Sequence, residues 1–351
     1  VGVQDPPVSH SGKPLPGARL VSAVLFPDAD VPDPKWTLIA MQWGQIITHD
    51  LSQAAGTTQA KAHSTNCCSE DKSEAIPKEY RDPTCFPIEV LHDDPHYAQH
   101  SQQCMNFVRT TTDLSQGCSQ PFKPAEQIVA VTHFMDCSII YGSSKQQTDS
   151  LREWKGGRLR MEYRHGKGFP PSSTNKSSVC DHISEQEACY VAGDSRVNQN
   201  PQLTILHVVL IREHNRVAGH LNKLNPHWDD NKLFHEARRI VIAEHQHISY
   251  YEWLPIFLVS ASLMSLTNKK CADVEAILVV TFNIQPGPVM NEVKLTRVES
   301  GGWESTKHHG LTYDTHDYTH DYSEHVDPSV INGHATAAFR YFHTNIAGYL
   351  Q

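Results

Sequence analysis

The sequence predicts a mainly α-helical fold with long loops and little β structure. Three observations carry this reading. Several long segments space their apolar residues at helical intervals. Three of them open on an Asp-Pro or Asn-Pro pair, at Asp33, Asn200 and Asp327. Only one short stretch, Leu159–Tyr163, reads as strand. The Asp-Pro and Asn-Pro pairs matter because the Asp or Asn oxygen accepts an orphan N–H of the first turn. The proline then supplies a preset φ where no donor is needed.

Taken in order, residues 1–32 are Pro-rich and are expected to form an irregular arm. A first helix is expected from Asp33-Pro34 to about residue 54, and residues 55–123 are polar, Cys-rich and mostly loop. A second helix is expected over about 124–137, followed by Tyr141-Gly-Ser-Ser and a short helix ending near 153. Residues 154–195 return to loop. Asn200-Pro201 opens a long helix whose stripe is Leu203, Leu206, Leu210, Val217 and Leu221. Another covers roughly 229–249, and a shorter one follows Tyr251-Glu-Trp-Leu-Pro255. The stretch 268–326 is poorly patterned, and its tandem Thr315-His-Asp-Tyr and Thr319-His-Asp-Tyr read as a solvated loop rather than a metal site. Asp327-Pro328 opens a last helix to about 346. No repeat or linker divides the chain, so a single domain over 1–351 is expected.

Net charge is −9 and the 30 basic residues are dispersed, which argues against a nucleic-acid partner. The longest apolar stretch, Ala276 to Ile284, is too short to span a bilayer. The chain opens on Val1 without a signal peptide, as a mature or excised product would. Nine cysteines imply an oxidising compartment, and their spacings lack the paired pattern of zinc sites. Cys180 and Cys189 flank a short loop, and Cys137 in its apolar segment reads as a buried free thiol. Asn175-Lys-Ser177 is a glycosylation sequon in a polar loop, which agrees with secretion.

Four segments carry chemistry. The first is Met41-Gln-Trp-Gly-Gln-Ile-Ile-Thr-His-Asp50. On a helix Gln45 and His49 share a face, while Asp50 lies roughly 100° further round. The second is Ala192-Gly-Asp-Ser-Arg196, just before the long helix. The third is Ala337-Ala-Phe-Arg-Tyr-Phe-His343, which sets Arg340 and His343 on one helix face. The fourth is Thr132-His-Phe-Met-Asp-Cys-Ser138, where Thr132, Asp136 and Ser138 offer side-chain oxygens and Thr132 and Phe134 offer carbonyls. Together with Asp50 these make a hard-oxygen set suited to Ca²⁺.

These segments, in this order, resemble the animal-type haem peroxidases, the myeloperoxidase and peroxinectin superfamily. The Arg196-Val-Asn-Gln199 run is nearest the arthropod members. The resemblance implies a helical domain with haem between a distal and a proximal helix. It implies that His49 takes a proton from hydrogen peroxide and returns it to the leaving oxygen, with Gln45 beside it holding water or an anion. Arg196 would stabilise charge on that oxygen. His343 would be the proximal ligand to haem iron, and Arg340 would pair with a haem propionate. Asp50, Thr132, Phe134, Asp136 and Ser138 would hold calcium. The first four cysteines would form two bridges, and Cys180 would pair with Cys189.

Where the best-known members esterify haem, this chain has Thr48 and Gln199, and where one forms a sulfonium link it has Asn200. Non-covalent haem b is therefore expected, and chloride oxidation is not. Phe342 stands where the family commonly has Gly, and the sequence ends eight residues after His343, short of the family's Asn that orients the proximal imidazole. A fragment or a truncated isoform is expected on that ground. The function implied is a secreted haem peroxidase that uses hydrogen peroxide, through ferryl intermediates, to oxidise phenols, tyrosyl groups or iodide. The alternatives are an inactive peroxidase scaffold serving binding or adhesion, a non-functional fragment, or a haem-free metal-binding protein built on the His-rich segments. No Arg-Gly-Asp or Lys-Gly-Asp tripeptide supports the adhesive reading.

Overall fold

The computed structural model describes residues 8–26, 29, 36–55, 65–113, 126–176, 180, 184, 187–256 and 324–346. Asp33-Pro34, Cys118, Cys271, the apolar stretch 276–284 and the tandem His-Asp-Tyr repeat lie outside them. The chain forms two compact units: Val1–Lys35 with Ala54–Ala130, and Trp36–Gln53 with Val131–Gln351.

In the first unit, helix α1 spans Ala18–Leu25, where an irregular arm was expected. Its eight residues contain no proline or glycine, so nothing local opposes the helix. Arg19 anchors it, donating from Nε and Nη2 to the two oxygens of Asp94 at 2.7 and 3.0 Å. Disulfides Cys67–Cys85 and Cys68–Cys104 tie the loops, as the resemblance implied. A minimal antiparallel ladder pairs β1 (Ile88–Glu89) with β2 (Cys104–Met105). The helix expected over 124–137 does not form in its described part. Gln127 and Val129 instead bridge to Thr112 and Ala54. Ile128, Val129, Val131 and Thr132 are β-branched and give up less freedom in an extended chain than in a helix.

The second unit is built on helices. They are α2 (Leu38–Leu51), α3 (Ser138–Tyr141), α4 (Lys145–Leu151), α5 (Pro201–Leu224), α6 (Asp230–His247) and α7 (Asn332–Thr336). A π-helical turn, Ile248–Trp253, continues α6, and a 3₁₀ helix, Ala338–Asn345, follows α7. A hairpin pairs β3 (Glu162–Arg164) with β4 (Lys167–Phe169), closed by His165-Gly166, both at positive φ as a two-residue turn needs. The expected start of α5 holds: Asn200 Oδ1 accepts the Leu203 N–H at 2.8 Å, with Pro201 next. Asp327 behaves differently. It accepts the Ser329 N–H in a local turn, and the helix begins only at Asn332.

α2 lies at the meeting of two apolar clusters. Ile46 belongs to one, with Ile139, Tyr141, Leu203, Leu206, Phe234 and Val241 from α3, α5 and α6. Ile47 and Leu51 belong to the other, with Met135, Tyr250, Trp253, Phe339 and Phe342. Consecutive helical residues point roughly 100° apart, so a helix supplying both clusters is enclosed on most sides. Its polar residues Gln42, His49 and Asp50 are buried as a consequence, and each must find a partner or stay neutral.

Candidate functional site

His49 is only 6% exposed, and its Nδ1 has no hydrogen-bond partner among the described residues. Burial, and then the positive charge of Arg196, press its pKa down to about 3. The imidazole is therefore neutral at any working pH. One turn earlier, Gln45 joins an amide cluster. Its Oε1 accepts from Gln42 Nε2 at 2.8 Å and Asn200 Nδ2 at 3.2 Å, and its Nε2 donates to Gln199 Oε1 at 3.2 Å. Gln42 was not anticipated from sequence, although its place three residues before Gln45 puts it on the same face.

The structure gathers all five expected calcium ligands. Asp50 is wholly buried; Ser138 Oγ donates to its Oδ1 at 2.8 Å and the Cys137 N–H to its Oδ2 at 2.9 Å. Asp136 Oδ1 accepts from Thr132 Oγ1 at 2.9 Å and from the Ser138 N–H at 3.1 Å, while Thr132 Oγ1 also reaches the Phe134 carbonyl at 3.3 Å. Burial and then the charge of Asp136 drive Asp50 up to about 8, and burial raises Asp136 as well. The nearest cation, Arg238, stands 3.9 Å from Asp136. A fully buried carboxylate, Asp50, and a half-buried one, Asp136, thus bind the same residue, Ser138, with little positive charge beside them, an arrangement a divalent cation would relieve. Cys137 adopts a left-handed φ of 57° at the turn into α3, a conformation that costs a non-glycine residue about 1 kcal/mol.

Arg196 sits in a 3₁₀ turn, Ser195–Asn198, and grips the C-terminal end of α2. Its Nη2 donates to the His49 carbonyl at 2.9 Å and its Nη1 to the Ser52 carbonyl at 3.1 Å. Nε and Nη2 also bind the two oxygens of Asp194 at 2.9 and 2.6 Å. Burial alone would raise Asp194, but Arg196 outweighs it and holds the carboxylate below its usual range. With Nε making one bond, Nη1 one and Nη2 two, a single Nη1 N–H is left for a further acceptor. The segment reaches this position through Gly193. A Cβ there would lie 2.3 Å from the Ser138 carbonyl oxygen and 2.4 Å from the Gly142 nitrogen.

His343 and Arg340 are both exposed on the 3₁₀ helix; Arg340 Nε donates to the Ala335 carbonyl at 3.2 Å. Phe342, between them and α2, is buried. Its ring lies 3.2 Å from where a Cβ on Gly44 would be, and 5.5 Å from the Trp253 ring. The bulky residue before His343 is thus turned into the core against α2.

The animal haem peroxidase family signature matches residues 1–351. The chain belongs to that family. It is 45% identical over 350 residues to the peroxidase of Drosophila melanogaster, a match covering 100% of this chain and 45% of that protein. Against the chorion peroxidase of the same organism it is 36% identical over 348 residues, covering 98% and 37%. The solved structure of peroxidase A from Dictyostelium discoideum superposes with a TM-score of 0.52 at 25% identity, covering 73% of this chain and 48% of that one. The chain therefore spans about half, or less, of the length of these relatives.

The family implies haem, and this chain offers an imidazole on each of two elements of the second unit. One imidazole, His49, is buried, neutral and unpartnered at Nδ1; the other, His343, is exposed, on an element packed against the helix that carries the first. Thr48 and Gln199 are engaged with the protein itself: Thr48 Oγ1 donates to the Gly44 carbonyl at 2.9 Å, and Gln199 accepts from Gln45. Neither carries a carboxyl group that could form an ester.

Proposed function

We propose that this peroxidase-family chain carries the haem-binding and peroxide-handling part of a secreted enzyme that oxidises phenols, tyrosyl groups or iodide. The observation that carries the proposal is the state of His49. It is a neutral, buried imidazole whose backbone carbonyl is gripped by Arg196 and whose neighbour Asp50 is bonded to Ser138 and Cys137. Haem would be held non-covalently by His343, with Arg340 at a propionate, and would supply the redox chemistry between peroxide and donor.

The chain's own residues do the proton work. His49 accepts a proton from hydrogen peroxide and returns it to the departing oxygen. Gln45 holds water or an anion beside it, within the amide cluster that also includes Gln199. Arg196 places fixed positive charge next to the imidazole and offers its remaining N–H to the developing negative oxygen. Calcium, held by Asp50, Thr132, Phe134, Asp136 and Ser138, would neutralise the paired carboxylates and clamp α2 to the loop before α3. Secretion is supported by three disulfides and by the exposed Asn175 of the sequon.

The test is an absorption spectrum of the purified chain, supplied with haem, before and after hydrogen peroxide. A Soret band that shifts with peroxide is expected. It should be lost in His343→Ala and retained in His49→Ala, whose reaction with peroxide should slow by about 10²–10⁴-fold. Reaction of His49→Ala at the parent rate would overturn the distal assignment, and haem uptake by His343→Ala would overturn the proximal one.

A further inference from the structure

The geometry points to a second metal site on the far side of Asp50, formed by Asp50, Cys137 and His245 and suited to zinc or a similar borderline-soft divalent ion. It shares Asp50 with the hard-oxygen set but uses that residue's other oxygen and two donors the set lacks, and it does not rest on the haem reading. Each of the three residues offers one ligand atom, and these atoms lie within 4.8 Å of one another. All three residues are buried, and the His245 and Asp50 side chains have no exposure at all.

The observation that asks for a ligand is His245. Neither of its ring nitrogens has a hydrogen-bond partner among the described residues. A buried imidazole normally satisfies at least its N–H. His245 Nε2 instead points at Asp50 Oδ2 from 3.6 Å, beyond hydrogen-bond range. Two ligands bound about 2.0–2.1 Å from a tetrahedral ion stand about 3.4 Å apart, so this spacing is close to that of a shared ion. Cys137 is the one free cysteine among the described residues, and its backbone N–H is bonded to the same Asp50 oxygen.

The chemistry of the two faces of Asp50 differs. Oδ1 accepts from Ser138 Oγ, on the side of the oxygen ligands. Oδ2 faces a thiol and an imidazole, donors that favour zinc, cobalt or copper over calcium. Binding would release the thiol proton and leave one place in a tetrahedral shell for water. Full burial makes the role structural. The ion would join α2 through Asp50, the turn before α3 through Cys137, and α6 through His245.

Cobalt(II) is the probe, because its spectrum reports sulfur ligation. Titrating the purified chain with Co²⁺, in calcium-containing buffer, should fill one site with a sulfur-to-cobalt charge-transfer band and intense tetrahedral d–d bands. Zinc should displace the cobalt and bleach both. Cys137→Ser should abolish the charge-transfer band, and His245→Gln should weaken cobalt binding at least tenfold, each with the circular dichroism of the parent. Since 23 histidines can hold cobalt loosely, binding without the sulfur band would overturn the proposal. A band that survives Cys137→Ser, or no binding at all, would do so too. Should His245→Gln fail to fold, protection of the Cys137 thiol from a maleimide by zinc in the parent tests the same site. Equal labelling with and without zinc would count against it.

Discussion

At the scale of single residues, the Asp194–Arg196 pair has the most consequence. It sits where one guanidinium must hold a carboxylate and two helix-end carbonyls at once. Only the planar fork of Arg does this; a lysine ammonium presents its donors from a single point. Arg196→Lys should therefore keep haem uptake but slow the reaction with peroxide about 10²-fold, read by stopped-flow absorbance. A parent-like rate would mean that the charge alone, without the fork, is enough. Asp194→Asn should instead be read in stability. It leaves Arg196 without a counter-charge in a site that is largely buried, at a cost of about 2–3 kcal/mol in a urea titration. An unchanged midpoint would show that the two carbonyls hold Arg196 unaided.

At the scale of elements, the site depends on close approaches that no periodicity announces. Gly193 lets the Arg196 segment lie against the backbone of α3, where a Cβ would meet the Ser138 oxygen and Gly142 nitrogen well inside contact distance. Gly193→Ala should cost more than about 3 kcal/mol or prevent folding, since backbone rather than a flexible side chain must give way. Gly219, within α5, is the matched control: a Cβ there meets nothing within 4 Å. Gly219→Ala should stabilise by about 0.5–1 kcal/mol through helix propensity alone. Two glycines of the same chain would then answer in opposite directions, and similar losses at both would contradict the packing described. The clamp between α2 and the loop before α3 makes a further prediction. Removing calcium with EGTA should lower the melting temperature and slow the peroxide reaction together, because Asp50 adjoins His49. Loss of stability with an unchanged rate would separate the ion from the catalytic helix.

These contrasts also mark what the sequence could and could not disclose. α5 was legible because its Asn200-Pro201 cap and apolar spacing are local signals; the body of α2 was legible from spacing, although it begins at Leu38 on an uncapped Thr37 rather than at residue 34. The proposed oxygen set could be read because its residues crowd one heptapeptide and one helix. The position of Phe342 against Gly44, the orphaned His245 beside Asp50 and the contact of Gly193 with α3 join residues far apart in the chain. Spacing says that a position is buried, not what stands opposite. The missing helix over 126–137 fails for a related reason, since its apolar residues serve isolated bridges and a loop.

At the scale of the whole molecule, the second unit encloses an unusual number of neutral histidines. Burial, the largest cause in each case, lowers His49 to about 3 and His214, His245 and His334 to about 4, and lowers His207 as well. His214 shows how the neutral form is satisfied: Nε2–H donates to the Gly157 carbonyl and Nδ1 accepts from the Tyr141 hydroxyl, at 2.9 Å each, so both ring nitrogens are bonded without a charge. An unfolded histidine titrates near 6.5. Between that pH and about 4, the unfolded chain takes up protons that the folded chain refuses, so acid favours unfolding. The contribution is complete above 6.5 and is lost as pH falls toward 4; for His214 alone it is roughly 3 kcal/mol. Asp50, raised to about 8, pulls the other way when no cation is bound, because its protonated form suits the fold. On the proposed site, saturating calcium would pin that carboxylate and expose the histidine contribution. The five tryptophans among the described residues all lie in the second unit, so their fluorescence reports its unfolding. In urea titrations with calcium, stability should be flat from pH 8 to 7 and fall by several kcal/mol between 6.5 and 4.5. A profile that stays level through that window would mean the histidines are charged inside the fold, and the neutral His49 on which the proposed proton transfer depends would go with them.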